Sequence, residues 1–330
     1  MKSNSPLLIQ GPLAGVSCAP FRVLAHIWGQ PAFCVTEMLS AHHLIHASKV
    51  ARRFSFKDPR EGKVCFQLSG TDPNDLARAT EQVMEWGADS IDLNCGCPVA
   101  KIRKKGAGSK LLEDPHRLAI LVQAMKAVSG VPISIKIRVD NEAARYSLEA
   151  AKAAEDAGVD HITVHGRHWT DSYDTPCRQD QIAEIVAALR IPVIANGDAQ
   201  DAESVKHLLE HTGCAGVMIS RAGVGQPWIF AKIRAELAGE IYIPPSLASI
   251  GDLFLQHVRG LIDLEGEPIA ILQSRKLVKY YARPLASRPV LLEQVNQVSD
   301  YVRLEGLTRE YFNARMPPHF CWSRQEENKL

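Results

Sequence analysis

Short apolar runs rich in β-formers recur roughly every 25–35 residues, and each leads into a helical pattern. In order they read "LLIQG", "AFCVTEM", "KVCFQLSG", "SIDLNCG", "PISIKIR", "HITVHGR", "IPVIANGD" and "GVMISRA". Eight strand–helix units in about 235 residues predict a closed (β/α)8 barrel, an α/β fold whose usual size is about 250 residues. An open doubly wound sheet is the alternative, but no strand here is followed by the G-x-G-x-x-G turn of a dinucleotide fold. The helices carry their own punctuation. Asp72 and Pro73 open one and Gly87 stops it; Asp114, Pro115 and Gly130 repeat the pattern.

The rhythm ends after "GQPWIF". Pro244 and Pro245 mark a linker, and residues from about 248 to 320 read as helices with no strand signal. The chain is therefore read as a barrel over 1–243 and an all-helical domain over 244–330. The amino-terminal stretch has no long apolar run, and nothing approaches the roughly 18 apolar residues that span a bilayer. A protein of the cytoplasm, with no membrane partner, is expected. A net charge of +1 supplies no global basic field, so a nucleic-acid partner would be held by local patches.

The eight cysteines are scattered, which disfavours a disulfide framework in a reducing compartment. Zinc sites usually pair C-x2-C spacings, whereas this chain has one C-x-C, Cys95 and Cys97, and no second pair. No metal is expected, and the cysteines are left with one working thiol or none.

In a barrel of this type the active site lies at the carboxyl ends of the strands. Those ends here carry Pro12, Leu13 and Ala14; Glu37; Gln67; Asn94 and Cys97; Lys136 and Arg138; His165 and Arg167; Asn196, Gly197 and Asp198; and Ser220 and Arg221. The glycine-bearing turns "ANGD" and "SRAG" close the last two units, where barrels commonly hold a phosphate.

Together, "GPLAGVS", "TEM", "FQLSG", "DLNCGCP…KKGAGS", "IKIR", "VHGR", "VIANGD" and "MISRAGVGQPWIF" resemble the tRNA-dihydrouridine synthases, most closely their bacterial B-type branch. The match runs in order over residues 7–235. The resemblance implies FMN-dependent reduction of a uridine in tRNA, with NADPH as electron source. It places Pro12, Leu13 and Ala14 along the flavin and Gln67 and Lys136 at its ring. Asn196, Gly197, Asp198, Ser220 and Arg221 fall at its phosphate end, with His165 nearby. Asn94, Arg138 and Tyr173 face the uracil, Cys97 is the proton donor, and Cys95 is a small buried side chain. The chain departs from the family in four places. Leu13 replaces a usual methionine, and Ser220 the usual glycine before Arg221. The loop after Arg167 keeps Tyr173 but lacks the usual threonine and a later aromatic. Leu277 stands where relatives commonly have histidine.

Reducing the C5=C6 bond of uracil requires a hydride at C6 and a positioned acid at C5. A flavin supplies the first and a protonated thiol suits the second. Two acid-free basic runs offer phosphate contacts: Lys101, Arg103, Lys104 and Lys105, and Arg275, Lys276 and Lys279 beside Tyr280 and Tyr281. A monomer is expected. Two rivals share these features. One is a dihydroorotate dehydrogenase-like barrel acting on a free pyrimidine, and the other is an RNA-binding barrel without catalysis.

Overall fold

The computed structural model describes residues 6–141 and 146–313. Its strands are β1 (Leu7–Gln10), β2 (Cys34–Val35), β3 (Leu39–Ser40), β4 (Val64–Ser69), β5 (Ser90–Cys95), β6 (Ile133–Arg138), β7 (His161–His165), β8 (Val193–Asn196) and β9 (Gly216–Ile219). All pair in parallel, and β1 joins both β2 and β9 while β2 joins β4, so the sheet closes on itself. Each of the eight expected runs supplies one stave of a (β/α)8 barrel. The second stave differs from the sequence reading. It stops at Val35 and resumes as β3, so Thr36, Glu37 and Met38 form a break in the strand rather than its end.

Side-chain alternation sorts the strands into two faces. In β5, Ile91, Leu93 and Cys95 join the core between strands and helices, along with Val64, Phe66 and Leu68 of β4 and Ile133, Ile135 and Ile137 of β6. The opposite face of the same strands carries Gln67, Asp92, Asn94, Ser134 and Lys136 into the barrel. There a small apolar layer of Ile9, Val35, Cys65, Ile194 and Met218 packs. The interior is thus apolar in one layer and polar toward the strand ends. Gln67, Asp92, Asn94 and Ser134 satisfy one another by cross-strand hydrogen bonds.

The expected helix starts are formed. Asp72 and Asp114 cap the helices Pro73–Glu85 and Pro115–Val128, accepting from the N–H groups of Asp75 and Arg117. Gly87 takes the left-handed conformation, φ 85°, just past the first helix. Gly130 does not: the second helix leaves through an extended Ser129, in keeping with the Val131–Pro132 pair that follows.

The chain divides into two compact units. The first runs to Gly223 and adds Pro227–Tyr242, and the second comprises Val224–Gln226 and the chain from Ile243. The second unit is helical: Leu247–Glu265, Glu267–Tyr281, Arg288–Asn296 and Tyr301–Phe312. Phe254, Val258, Leu261, Leu277 and Val278 are buried there, and His257 Nδ1 lies 3.0 Å from the Tyr281 hydroxyl. Leu277 is therefore an apolar core residue of this unit. The expected domain's final stretch, with Cys321, lies outside the described residues. Among the described residues no helix is long and apolar enough to cross a membrane.

Candidate active site

The polar side chains at the strand ends form a connected network. Ser134 Oγ donates to Asp92 Oδ1 at 2.7 Å, and Gln67 Nε2 donates to Asp92 Oδ2 at 2.8 Å. Asn94 Nδ2 donates to Gln67 Oε1 at 2.9 Å, while Asn94 Oδ1 accepts from the backbone N–H groups of Gly96 at 3.2 Å and Cys97 at 2.9 Å. Buried Asp92 therefore fixes which way the Gln67 amide points, Gln67 fixes Asn94, and Asn94 holds the loop bearing Cys97. Burial raises the Asp92 carboxyl to about 6; hydrogen bonds from Gln67 and Ser134 and the charge of Lys136 work against that rise.

The Cys97 loop has two further braces. Arg138 Nε donates to Gly96 O at 2.7 Å and Nη1 to His168 O at 3.0 Å, tying this loop to the one after β7. Ser109 donates to Cys97 O from both its N–H, at 3.1 Å, and its hydroxyl, at 3.0 Å. Arg103 in turn holds Ser109 Oγ at 2.8 Å, pairs with Glu113 at 3.0 Å and stacks 3.7 Å above the Trp169 ring. Arg103 thus acts inside the protein as a brace for the Cys97 loop, whereas Lys101, Lys104 and Lys105 are exposed. Cys97 is half-buried; Cys95, one strand position from Asn94, is fully buried, and burial pushes its thiol well above the ordinary value.

On the other side of the mouth, Lys136 Nζ donates to Asn196 Oδ1 at 2.8 Å, and Asn196 Nδ2 donates to Met218 O at 2.8 Å. Desolvation, then the charge of Arg138, pushes the Lys136 ammonium down to about 7, with Asp92 opposing. His165 is held neutral by burial and by four surrounding cations, Lys136, Arg138, Arg167 and Arg221. Arg167 pairs with Asp198, whose backbone is left-handed at φ 55°, and Asp198 Oδ2 accepts from Cys177 N at 3.0 Å. Arg221 stacks 4.2 Å from the ring centroid of exposed Tyr173. A Cβ on Gly197 would meet Cys177 Sγ at 2.9 Å, and φ there is 128°, so this turn requires glycine.

Pro12, Leu13 and Ala14 lie on a tight turn after β1. Leu13 O accepts from Val16 N and Ser17 N, and Ser17 Oγ accepts from Leu13 N at 2.9 Å. Glu37, in the break of the second stave, accepts from Gly15 N at 2.6 Å and from Arg53 Nε at 2.7 Å. Ser220 points its hydroxyl toward β1: a Cβ on Gly11 would come within 2.4 Å of it. Gly11 makes room for the serine.

The expected residues of the barrel thus converge on one mouth. Sequence reasoning did not single out Asp92, Ser134, Ser109 or Trp169. Alternation in "SIDLN" was the available signal for Asp92, since it places that carboxylate on the same face as Asn94. In the helical unit Lys276 and Lys279 are exposed. Arg275 is half-buried and donates to Val298 O at 3.0 Å, while Lys279 and Arg283 flank the Tyr280 ring at 4.9 and 5.1 Å.

Fold and site together define a parallel (β/α)8 barrel with a cationic, thiol-bearing mouth. Histamine dehydrogenase from Rhizobium sp. 4-9 shares the architecture, with a TM-score of 0.54 at 12% identity over 77% of this chain; the chain spans about half of that protein, 48%. The family described as Dihydrouridine synthase (Dus) matches residues 9–315, and the chain belongs to it. It is 34% identical to tRNA-dihydrouridine synthase B of Xanthomonas axonopodis pv. citri, covering 94% of each chain. It is 35% identical to the protein of the same name from Pectobacterium carotovorum, covering 92% of this chain and 95% of that one. The Pseudomonas aeruginosa protein of that name is 34% identical, with 93% of each covered.

Proposed function

We propose that this protein is a tRNA-dihydrouridine synthase that reduces the C5=C6 bond of a uridine in tRNA, using FMN and NADPH, with Cys97 as the proton donor to C5. The observation that carries this reading is the half-buried Cys97 on a loop fixed by Asn94, Arg138 and Ser109, at a mouth where Lys136, Arg138, Arg167 and Arg221 surround His165.

The mouth fits a flavin mononucleotide. Lys136, Arg138, Arg167 and Arg221 gather around neutral His165, with Asp198 paired to one of them. A lysine displaced to about 7 by desolvation and a neighbouring guanidinium regains its charge when an anion binds beside it. Asn196, Gly197, Asp198, Ser220 and Arg221 would take the phosphate end, Gln67 and Lys136 the ring, and the Pro12–Ala14 turn its flank. Among the described residues there is no dinucleotide fold for an adenosine diphosphate arm, which favours FMN over FAD. When bound, the reduced flavin supplies a hydride to C6 of the pyrimidine.

Asn94, Arg138 and Tyr173 would receive the uracil. Among the described residues Arg138 Nη2 has no protein partner, which leaves it available to a carbonyl oxygen. Lys136 and Arg138 stabilise negative charge as it develops on the ring oxygens. Cys97 then gives its thiol proton to C5. That role needs the S–H form, unlike a nucleophilic cysteine, which needs the thiolate. A target uridine must leave its stack to enter a barrel mouth. Exposed Lys101, Lys104, Lys105, Lys276 and Lys279 would hold phosphates of the folded RNA. The reading carries with it a monomer acting in the cytoplasm.

Liquid chromatography–mass spectrometry of nucleosides from tRNA tests the reading. Unmodified tRNA incubated with the purified protein, FMN and NADPH should gain dihydrouridine, 2 mass units above uridine by the two hydrogens added. A folded protein that releases no FMN on acid treatment and leaves uridine unchanged would overturn it.

A further inference from the structure

A cluster of metal-ligating side chains stands apart from the Cys97 network. β3 runs directly into a short helix, Ala41–His46, capped by Ser40, whose hydroxyl accepts from His43 N at 3.3 Å. The i, i+4 spacing of His42 and His46 puts both imidazoles on one face, with ring centroids 4.5 Å apart. The neighbouring strand, β4, feeds the helix Pro73–Glu85 through a short turn, and Asp75 lies in its first turn. β3 and β4 are parallel with Ser40 opposite Ser69, so both helices spring from the same end of the barrel. His42 Nδ1 lies 2.9 Å from Asp75 Oδ2, and His46 Nε2 lies 2.8 Å from Asp75 Oδ1. The three ligand groups fall within 4.8 Å of one another, the one such group of three or more among the described residues.

We propose that His42, His46 and Asp75 form a binding site for a divalent transition-metal ion of borderline softness, such as Zn2+ or Ni2+. Two imidazoles converge on the two oxygens of one carboxylate, an arrangement that two neutral ring N–H donors satisfy in the metal-free protein. One divalent ion takes both neutral imidazoles and the carboxylate at once, and each ring keeps an N–H on its other nitrogen. Zinc holds nitrogen and oxygen ligands at about 2.0–2.2 Å, which spaces tetrahedral ligand atoms by about 3.3 Å. The histidine–aspartate separations of 2.9 and 2.8 Å open by a few tenths of an ångström to match, and the two imidazole nitrogens, within 4.8 Å of each other, close toward the same spacing. The rings are free to give: the His42 side chain is 73% exposed and that of His46 49%, while the Asp75 anchor is 12% exposed.

The donor set selects the metal. Imidazole suits Zn2+, Ni2+, Cu2+ and Co2+, whereas Mg2+ and Ca2+ require mostly oxygen. Three protein ligands at a solvent-facing position leave a fourth for water, so the site is open. The ion would clasp the Ala41–His46 helix to the start of Pro73–Glu85 at the catalytic end of the barrel. The sequence expectation of no metal rested on cysteine spacing, which does not report a site made from histidines and an aspartate on two separate helices. This inference is independent of the reaction assigned to Cys97.

The test is calorimetric titration of NiCl2, and separately ZnCl2, into the chelator-treated full-length protein, with thermal melts of every variant to confirm folding. Wild type should bind one Ni2+ and gain melting temperature with it. His42→Ala, His46→Ala and Asp75→Asn should each weaken Ni2+ at least tenfold, since loss of even an outer-sphere partner costs about 10–100-fold. The melting-temperature gain should vanish in the His42→Ala/His46→Ala double variant, while its flavin content stays that of wild type. Stoichiometric Ni2+ binding retained by the folded double variant, or no Ni2+ binding by wild type at millimolar concentration, would overturn the proposal.

Discussion

Asn94 Oδ1 accepts the backbone N–H of Cys97 at 2.9 Å, while its Nδ2 donates to Gln67 Oε1 at 2.9 Å. One side chain therefore couples the thiol loop to the amide that would sit under the flavin ring. Asn94→Ala removes both contacts and leaves the loop to Arg138 and Ser109. A misplacement of about 1 Å can cost 10²-fold in rate. Single-turnover dihydrouridine formation should fall by about that factor, while oxidation of NADPH by oxygen stays within a few-fold of wild type. Asp92→Asn can still accept from Gln67 and donate to Ser134, so it should stay close to wild type in the same assay. Asp92→Ala should not. Equal rates for Asp92→Ala and wild type would break the link drawn from Asp92 to Cys97.

Lys136 makes a prediction about pH. Its ordinary value is 10.5 and the fold depresses it to about 7, through desolvation first and Arg138 second. Between those values the unfolded chain carries a proton that the folded chain does not. Stability therefore rises with pH across that window, and below about 7 the cost is fully present. In flavin-free protein, Lys136→Met should be more stable than wild type at pH 7 by up to about 2 kcal/mol, limited because the substitution also removes the hydrogen bond to Asn196 Oδ1. The gap should close as pH approaches 10. Denaturant unfolding at several pH values measures it, and parallel pH dependences for the two proteins would contradict it. The same variant should bind FMN more weakly.

The barrel was legible because its signal is long-range and repetitive: eight apolar runs with capped helices between them can be read without knowing any contact. Residues near the strand ends, from Pro12 to Arg221, could be placed on one mouth because the topology alone brings those ends together. Asp92 was not legible as a site residue, since a lone acid inside an apolar run gains meaning only from Gln67 on one neighbouring strand and Ser134 on the other. Arg103 was read as a phosphate contact because charge is visible in a sequence and its partners, Ser109, Glu113 and Trp169, are not. The break at Thr36–Met38 was hidden within "AFCVTEM", where the residue types suit a strand. Glu37 departs from the ladder to accept Gly15 N and pair with Arg53.

The basic side chains that remain exposed should act through phosphates. Lys104→Gln/Lys105→Gln and Lys276→Gln/Lys279→Gln should each weaken tRNA binding and leave flavin content and NADPH oxidation unchanged. Each lost contact should flatten the dependence of log K on log salt by about 0.7–0.9. Arg103→Gln should behave differently, lowering turnover through the Cys97 loop with a smaller change in salt slope. Filter binding across a salt series reads both effects, and unchanged slopes in both double variants would assign the tRNA to another face.

Cys97, not Cys95, is the thiol proposed to deliver the proton. Cys95 faces the core between strands and helices with no exposure, whereas Cys97 is half-buried at the mouth. The most direct measurement is single-turnover reduction of tRNA by prereduced Cys97→Ala and Cys95→Ala, read as dihydrouridine by mass spectrometry. Cys97→Ala should keep its flavin, accept electrons from NADPH and form dihydrouridine about 10²–10⁴-fold more slowly, while Cys95→Ala should keep most of its rate. A Cys97→Ala protein that reduces tRNA at the wild-type rate, or a Cys95→Ala protein that is folded, flavin-loaded and inactive, would contradict it.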